Sequence, residues 1–533
     1  MSGSFPEIKP GEGLFNINAT VIFKDLKSPL NLEVLPSFTY CDNSSRETID
    51  YWKKGDVENN FGVSVKYGIT SSITAEATIN PDFSQVESDA FQVEVNQRYP
   101  VFYSEKRPFF MEGMDIFDFN IISHGMLMTP VHTRRIVDPE WGSKITGSLG
   151  STSFGILAAG DEFPGYEWED EKNPNEGKNA NFGIARVKYS VGRDNYIGAI
   201  YSGREFAGLS NHVVGSDIQF RVLKNANSSV SVLYSNTDDA DKGVVTRGAD
   251  LNWWYSYNSR SLSYSAAFEH IDKDFQMETS FLMRTNLNRG WIWIGPRFYP
   301  DAKKVSWLKR ITPEFIAASL HDIETDQIDQ YYYVGINLNF TKQGSFSCNY
   351  EWDKEFWHKL AYQQNSMGAE GGLQITKWFR FGGFFSHGGK IYYGEDSEDD
   401  PSYLGSSVSG GFNFTFQPNE KLNQYFQIYH QNFSNKETGE NVYKITIVNF
   451  RNTYQFNKYL FVRATIRYDS YNEKMLTDFL TSFTFIPGTV VHLGYGSIYN
   501  KNKWQQNEWL PGQGKYYEMQ RSLFFKASYL HRF

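Results

Sequence analysis

The sequence predicts an all-β protein, a single large antiparallel transmembrane β-barrel of about 24 strands. Three observations support it: the composition, a two-residue periodicity of apolar side chains, and an alternation of short and long connections. The chain has 533 residues, of which 40% are hydrophobic, 17% aromatic and 21% charged. Its mean hydropathy is −0.50, and no apolar run approaches the roughly 18 residues that a membrane helix needs. Helical membrane proteins are therefore excluded.

Strict alternation of apolar and polar side chains predicts the strands. In residues 72–80 the apolar side chains share one face of a strand: Ile73, Ala75, Ala77 and Ile79. Residues 459–469 and 519–533 repeat this pattern. A period of two predicts a strand. In a membrane barrel the apolar face contacts lipid, and the lumen takes the charged residues.

Connection lengths distinguish a membrane barrel from a soluble sandwich. Very short connections, such as 68–71 and 150–153, alternate along the chain with longer and often acidic ones. The acidic connections are 161–178, 236–242, 322–329 and 395–400. Short turns on one side and long loops on the other are typical of barrels in the bacterial outer membrane, where we expect this protein to lie. Counting strands between the turns yields about 24, with a range of 22–26, and assigns 277–286 to an external loop.

One segment does not fit a barrel wall. Residues 81–141 mix charges, prolines and aromatics without regular alternation. The expected organisation is a periplasmic leader at 1–30 and a barrel at 31–533, in which 81–141 forms an inward-folded plug or a long loop. Long irregular segments in compact domains are usually functional. The candidate lumen-constriction residues are Arg98, Tyr103, Glu105, Lys106, Arg107, Phe109, Phe110, Glu112, Arg134 and Arg135. The alternative is a structural plug whose charges only hold it in place.

Three stretches in and beside this segment resemble a known family. They are Asn-Pro-Asp-Phe-Ser-Gln-Val-Glu-Ser-Asp (80–89), Phe-Tyr-Ser-Glu-Lys-Arg-Pro-Phe-Phe-Met-Glu-Gly (102–113) and Thr-Arg-Arg-Ile (133–136). They are similar to the characteristic stretches of an outer-membrane barrel domain of unknown function that is widespread in Bacteroidota. The resemblance covers about residue 30 to Phe533. Family members usually carry an N-terminal module similar to family 9 carbohydrate-binding modules, absent here. The family's third stretch normally continues with Gly, and this chain has Val137.

No catalytic motif is present, including Gly-x-Ser-x-Gly, His-Glu-x-x-His and the phosphate-binding Gly-Lys-Ser/Thr. We predict no catalytic residue, no cofactor and no metal site; the acidic run 395–400 lacks the spacing of a calcium loop. The two cysteines, Cys41 and Cys348, are too few for a disulfide framework. The net charge of −9 argues against nucleic acid as a partner.

The sequence is compatible with three functions. The leading one is a gated or plugged channel that handles a solute at the cell surface, with a glycan-derived oligosaccharide among the candidate solutes. The second is a non-conducting barrel that acts as a scaffold in an envelope complex. The third is a membrane-embedded hydrolase. The expected partners are outer-membrane lipid or lipopolysaccharide, the solute, and a periplasmic or envelope protein.

Overall fold

The computed structural model describes residues 31–81, 90–119, 125–166, 173–192, 194–394, 400–486 and 488–533. The predicted leader at 1–30, most of the stretch 80–89 and the acidic residues 395–399 lie outside the described residues. Within the described part of the chain, none of the helices is both long enough and apolar enough to cross a bilayer.

The described residues form 28 strands, numbered in chain order. The first fourteen are β1 (Leu32–Arg46), β2 (Trp52–Thr70), β3 (Ile73–Ile79), β4 (Leu127–Thr129), β5 (Pro139–Leu149), β6 (Thr152–Asp161), β7 (Ala180–Val191), β8 (Asn195–Phe206), β9 (Leu209–Leu223), β10 (Ala226–Asp239), β11 (Val244–Asn258), β12 (Leu262–Ile271), β13 (Phe281–Leu282) and β14 (Leu287–Pro296). The other fourteen are β15 (Leu308–Asp322), β16 (Gln327–Phe340), β17 (Ser345–Trp357), β18 (Leu360–Thr376), β19 (Phe379–Tyr392), β20 (Tyr403–Phe416), β21 (Leu422–Asn435), β22 (Asn441–Gln455), β23 (Leu460–Asp469), β24 (Lys474–Ile486), β25 (Thr489–Gln505), β26 (Glu508–Pro511), β27 (Lys515–Ser528) and β28 (His531–Arg532). The helical elements are a single α-turn, α1 (Pro108–Met111), and the 3₁₀ turns Met114–Phe117, Thr133–Arg135 and Phe163–Gly165.

Twenty-four of these strands form a closed antiparallel wall, which confirms the predicted fold. The short strands β4 and β13 pair only with each other. The four-residue β26 pairs with β25 in the connection to β27, and β28 is a two-residue continuation of the last strand. The barrel closes where β27 pairs with β1, from Ser37 opposite Ser528 to Ser45 opposite Gln520. Closure leaves the wall without a free edge, as a strand surrounded by lipid requires.

The two faces of the wall differ in chemistry as the alternation predicts. Lys144 on β5 is 1% exposed, whereas the next residue, Ile145, is 38% exposed. Leu157 on β6 is fully buried, and Ile156 beside it is exposed. Many other large hydrophobic side chains of the wall are exposed in the same way. The outer surface is therefore largely apolar, and charged residues such as Lys144 point inward.

Connection lengths follow the predicted alternation less strictly than the sequence indicates. Strand β10 extends through Asp239 and β15 through Asp322, so these acidic connections shrink to residues 240–243 and 323–326. Two connections on the long-loop side have only two residues, 207–208 and 358–359, and one on the short-turn side, 297–307, has eleven. The observed connections differ in length from the predicted ones because backbone pairing continues past the last residue of the alternating pattern. Beyond that residue, side-chain polarity no longer indicates that the chain is in a strand.

Residues 277–286 lie outside the wall, as predicted, because β12 pairs directly with β14. They do not extend away from the barrel, however. Their short strand β13 pairs with β4 of the segment that follows β3. Phe275 and Met277 are buried in one apolar cluster with Leu127 and Leu287. The connection therefore folds back against that segment.

Candidate functional site: the lumen segment

Residues 80–138 connect wall strands β3 and β5 on the long-loop side. We call their described parts, 90–119 and 125–138, the lumen segment. Its contacts are with inward-facing side chains of strands from several parts of the wall, including β2, β5, β7, β12, β16 and β17. The segment therefore meets the inward face of the wall at several separate strands.

Two of the recognised stretches are tied together by a buried ion pair. Arg107, only 6% exposed, pairs with Glu105 at 2.8 Å and donates to the Thr133 carbonyl oxygen at 2.7 Å. The same guanidinium donates to the carbonyl oxygen of Ile136 at 2.7 Å. Glu105 also accepts the Thr133 hydroxyl at 2.6 Å. We call Glu105, Arg107 and Thr133 the internal knot, because every contact named here lies within the lumen segment.

The internal knot strongly favours the ionised form of Glu105. Burial alone would raise the pKa of this carboxyl, but the hydrogen bonds and positive charge of Arg107, with the Thr133 hydroxyl, lower it to about 2. A carboxylate that is held in its charged form and is fully hydrogen-bonded stabilises the fold and does not act as a proton donor near neutral pH. This geometry supports the structural alternative for Glu105 and Arg107.

The two phenylalanines of the segment anchor it to the wall. Phe110 is 1% exposed and packs with Phe117, Ile136 and Leu157 in one apolar cluster, which Phe109 borders. Wall glycines make room for these rings. A Cβ on Gly142 would lie 2.9 Å from the Phe109 ring, and one on Gly155 would lie 2.8 Å from the Phe117 ring. Such contacts are too short for a side chain, so the close approach requires glycine.

A basic pair on the wall holds the end of α1. Lys66 on β2 forms an ion pair with Glu112. Lys144 on β5 pairs with Glu76 of β3 at 3.2 Å, and it also donates to the carbonyl oxygens of Phe109 and Glu112. Because Lys144 is almost fully buried, these three acceptors replace the water that its ammonium group would otherwise bind.

Arg98 reaches a different part of the wall. Its Nη1 lies 2.7 Å from Glu355 on β17 and 3.1 Å from Asp329 on β16. Neither carboxylate depends on Arg98 alone: the Phe356 amide donates to Asp329, and the Tyr393 hydroxyl donates to Glu355. Arg98 is thus a point of attachment between the lumen segment and an acidic part of the wall.

The remaining predicted residues are not gathered into one constriction. Tyr103 donates to Glu94 at 2.6 Å, and the guanidinium of Arg134 lies 5.9 Å from the Tyr103 ring. Arg134 also donates to the Ser104 carbonyl oxygen, and Arg135 donates to that of Ser280. The backbone amide of Lys106 donates to Glu105. These contacts hold the segment together and join it to the β12–β14 connection.

Sequence reasoning missed the wall residues on which the segment rests. Successive strands place buried or half-buried inward residues directly opposite one another in a row: Asp217, Ser231, Asn252, Glu269, Arg289, Leu320 and Asp329. Glu269 accepts the Met126 amide at 3.0 Å. Asp217 pairs with Arg186 at 2.7 Å, and Arg186 donates to the Asp118 carbonyl oxygen. Single charged residues on the inward face of each strand were the available signal, but the register that aligns them is not readable from one strand.

Part of the inward face of the wall borders an open, polar space. A cavity of 410 Å³ is bordered by inward-facing residues of β16 to β21, among them Asn337, Glu370, Arg380, Asn413 and Tyr425. Among the residues that the structure describes, no three His, Cys, Asp or Glu side chains come together as metal ligands.

Comparison with solved structures finds low-identity similarities over most of the chain. The siderophore receptor PirA from Pseudomonas aeruginosa is 9% identical, with a TM-score of 0.46 over 94% of this chain and 81% of its own. The copper transporter OprC is 8% identical, with a TM-score of 0.47 over 94% and 80% of the two chains. The FrpB iron transporter from Neisseria meningitidis is 8% identical, with a TM-score of 0.44 over 94% and 83%.

Comparison of sequences adds one family match. No curated protein matches the sequence of this chain. A family model described as a domain of unknown function (DUF5916) matches residues 28–129. The match covers β1 to β3 and the lumen segment as far as the end of β4, and so includes the stretches 80–89 and 102–113 but not 133–136.

Proposed function

We propose that this chain forms a channel in the bacterial outer membrane, and that the lumen segment controls the passage of a solute through the barrel. The observation that carries the proposal is the attachment of one irregular segment to inward residues on separate parts of the wall, from Lys66 and Lys144 to Glu355. The apolar outer surface and the closed 24-stranded wall support the membrane location.

The contacts within the lumen segment differ from the contact that Arg98 makes with the wall, and this difference suits a channel with controlled access. The internal knot and the Phe110 cluster keep the segment folded. Arg98 reaches Asp329 and Glu355 from a half-buried position. Loss of one ion pair at the wall would therefore shift the segment without unfolding it. In pores, selectivity follows the charge and width of the narrowest part.

The inward surface suits a polar solute, and a glycan-derived oligosaccharide remains a candidate. Trp291 and Trp293 on β14 share the face of Arg289, and Tyr331 and Tyr333 on β16 share the face of Asp329. Aromatic rings beside polar groups offer stacking and hydrogen-bonding partners to a sugar. By contrast, the alternation places Trp253 and Tyr332 on the lipid-facing side, where they are 39% and 42% exposed.

Single-channel recording in planar bilayers tests the proposal. We expect the full chain to conduct, and replacement of residues 84–136 by a short flexible linker to raise the conductance. Migration of folded and heat-unfolded protein on gels checks that the shortened barrel is formed. If the shortened barrel folds and remains silent, the channel proposal is wrong. A silent barrel that co-purifies with envelope proteins would favour the scaffold alternative instead.

Two finer assignments belong to the same proposal. The stretches 80–89, 102–113 and 133–136 support an origin in Bacteroidota, and with it a relationship to proteins that carry a carbohydrate-binding module. An envelope or periplasmic protein is the proposed second partner. Isolation of the barrel from its native membrane, followed by identification of the bound proteins and sugars, tests both assignments.

A further inference from the structure

The outer face of the barrel carries a group of cations where the last strand joins the first. Ser44 on β1 lies directly opposite Arg521 of β27 on one side and Lys54 of β2 on the other. Directly opposed residues of antiparallel strands point to the same face. Arg521 is two residues from Leu523, whose 43% exposure identifies that face as the outer one. The Arg521 and Lys54 side chains therefore leave the wall on the lipid side.

A tryptophan holds two guanidinium groups together on this face. Trp52 lies opposite Arg46 in the β1–β2 pairing. The guanidinium carbon of Arg46 is 4.5 Å from the Trp52 ring centroid, and that of Arg521 is 4.1 Å from it. Cation–π contacts orient both groups. We call Ser44, Arg46, Trp52, Lys54 and Arg521 the seam cluster.

Among the described residues, Arg46, Lys54 and Arg521 form no ion pair with a carboxylate. Two carboxylates share their face: Asp42, which lies opposite Leu523, and Glu518, whose side chain accepts the hydroxyls of Tyr495 and Ser497. Arg46 donates to the uncharged carbonyl oxygens of Ile49, at 2.6 Å, and Glu518, at 2.8 Å. The nearby Lys53 is paired with Glu47 at 3.5 Å, but Lys54 and Arg521 have no such partner in the described chain. Three cations against the carboxylates of Asp42 and Glu518 leave an excess of positive charge in one small area, so the arrangement favours an anion from outside the protein.

The position of the seam cluster indicates which anion. Arg46 and Trp52 are the last residue of β1 and the first of β2, at the long-loop end of the wall, and the adjoining Tyr51 is 56% exposed. Tryptophan and tyrosine of barrels collect at the level of lipid headgroups. The headgroup of a lipid at this site lies against the cations. Its acyl chains lie against Leu523 and Phe525.

We infer that the seam cluster binds the phosphate groups of an anionic lipid, namely the lipid A part of lipopolysaccharide in the outer leaflet. Guanidinium groups bind phosphate through paired charge-assisted hydrogen bonds, and the Ser44 hydroxyl can add another donor. This inference rests on the outer-membrane location in the proposed function but not on conduction.

Binding of lipid to the purified full chain in detergent, measured by native mass spectrometry, tests the inference. We compare lipid A carrying both phosphates with its dephosphorylated form. The double variant Arg521→Gln/Lys54→Gln removes two cations that donate no hydrogen bond within the described protein. The control is Lys458→Gln, which removes an exposed cation 4.7 Å from the Tyr459 ring at the opposite end of the barrel.

We expect the double variant to bind phosphorylated lipid A at least about tenfold more weakly, and Lys458→Gln to bind as the parent does. Equal binding of the phosphorylated and dephosphorylated lipids would overturn the inference, as would unchanged binding by the double variant. If inorganic phosphate competes with the lipid at equal concentration, the site recognises free phosphate and the lipid assignment is wrong. A barrel that binds lipid A selectively and never conducts would contradict only the channel proposal.

Discussion

Arg98 of the lumen segment lies 2.7 Å from Glu355 of wall strand β17, within reach of Asp329 on β16 as well. This pair joins two parts of the chain that are far apart in sequence. Both carboxylates keep other hydrogen-bond donors, so the pair can be broken without leaving either of them unsolvated.

Substitution of Arg98 tests its role in holding the segment. We expect Arg98→Gln to leave the barrel intact and to increase both the mean conductance and its fluctuation, because one attachment of the segment is lost. Because both carboxylates keep another hydrogen-bond donor, the cost should stay below the roughly 3 kcal/mol that removal of one partner of a fully buried pair causes. Bilayer recording and limited proteolysis of the segment provide the measurements. Arg532→Gln is the control, since Arg532 pairs with Glu33 at the exposed short-turn end of the wall. Conductance identical to the parent would contradict this role.

Acid should loosen the internal knot. The pKa of Glu105 is about 2 in the folded chain against an ordinary value of 4.5. A lowered pKa stabilises the fold above the ordinary value, and this contribution disappears as the pH falls from about 5 to about 2. The difference corresponds to up to roughly 3 kcal/mol. Pepsin cleavage within the lumen segment, measured relative to cleavage of an unfolded substrate at the same pH, should therefore rise steeply below pH 4.

The variant Glu105→Gln provides the comparison for the acid experiment. It removes the titrating group and leaves Arg107 without its carboxylate, so relative to the unfolded substrate the segment should be cleaved readily at every pH at which pepsin is active. Protection that depends on pH equally in the parent and in Glu105→Gln would show that another group is responsible.

The close approach of the segment to β6 should not tolerate a side chain. In Gly155→Ala the new Cβ would lie 2.6 Å from Ile116 and 2.8 Å from the Phe117 ring. We expect the turn Met114–Phe117 to exchange its amide hydrogens faster, because it must move away from the wall. Gly183→Ala on β7 is the matched control, since no atom lies within 4 Å of its new Cβ. Equal exchange in both variants would refute the packing argument.

Phe110 should carry much of the segment's apolar stability. Phe110→Ala removes a ring that is 1% exposed, at a cost of about 3–5 kcal/mol. The adjacent Met111 is 58% exposed, so Met111→Ala should have little effect. Thermal unfolding of the segment can be monitored through its accessibility to protease. The temperature at which the segment becomes accessible should be much lower in Phe110→Ala than in Met111→Ala. Similar behaviour of both would indicate that the segment is not anchored at α1.

Much of the architecture could be predicted from local sequence. Alternation assigns each strand residue to a face whatever its partner, because successive side chains of a strand point to opposite sides. Lys144 and Ile145 show this directly. The position of the connections then set the count of 24, although strand ends such as Asp239 and Asp322 were misplaced where pairing outlasts the alternation. The irregular composition of 81–141 identified the segment as separate from the wall.

The pairing of distant residues was decided only by the tertiary structure. The sequence places both Glu105 and Glu112 near Arg107, and the folded segment pairs Arg107 with Glu105 and adds Thr133. Arg98 meets Asp329 and Glu355 because the register of the wall places those two carboxylates at the level that Arg98 reaches. That register depends on the sum of all strand pairings around a closed barrel, so no local pattern contains it. The sequence by itself determined which face each residue occupies, and closure of the wall decided which residues meet.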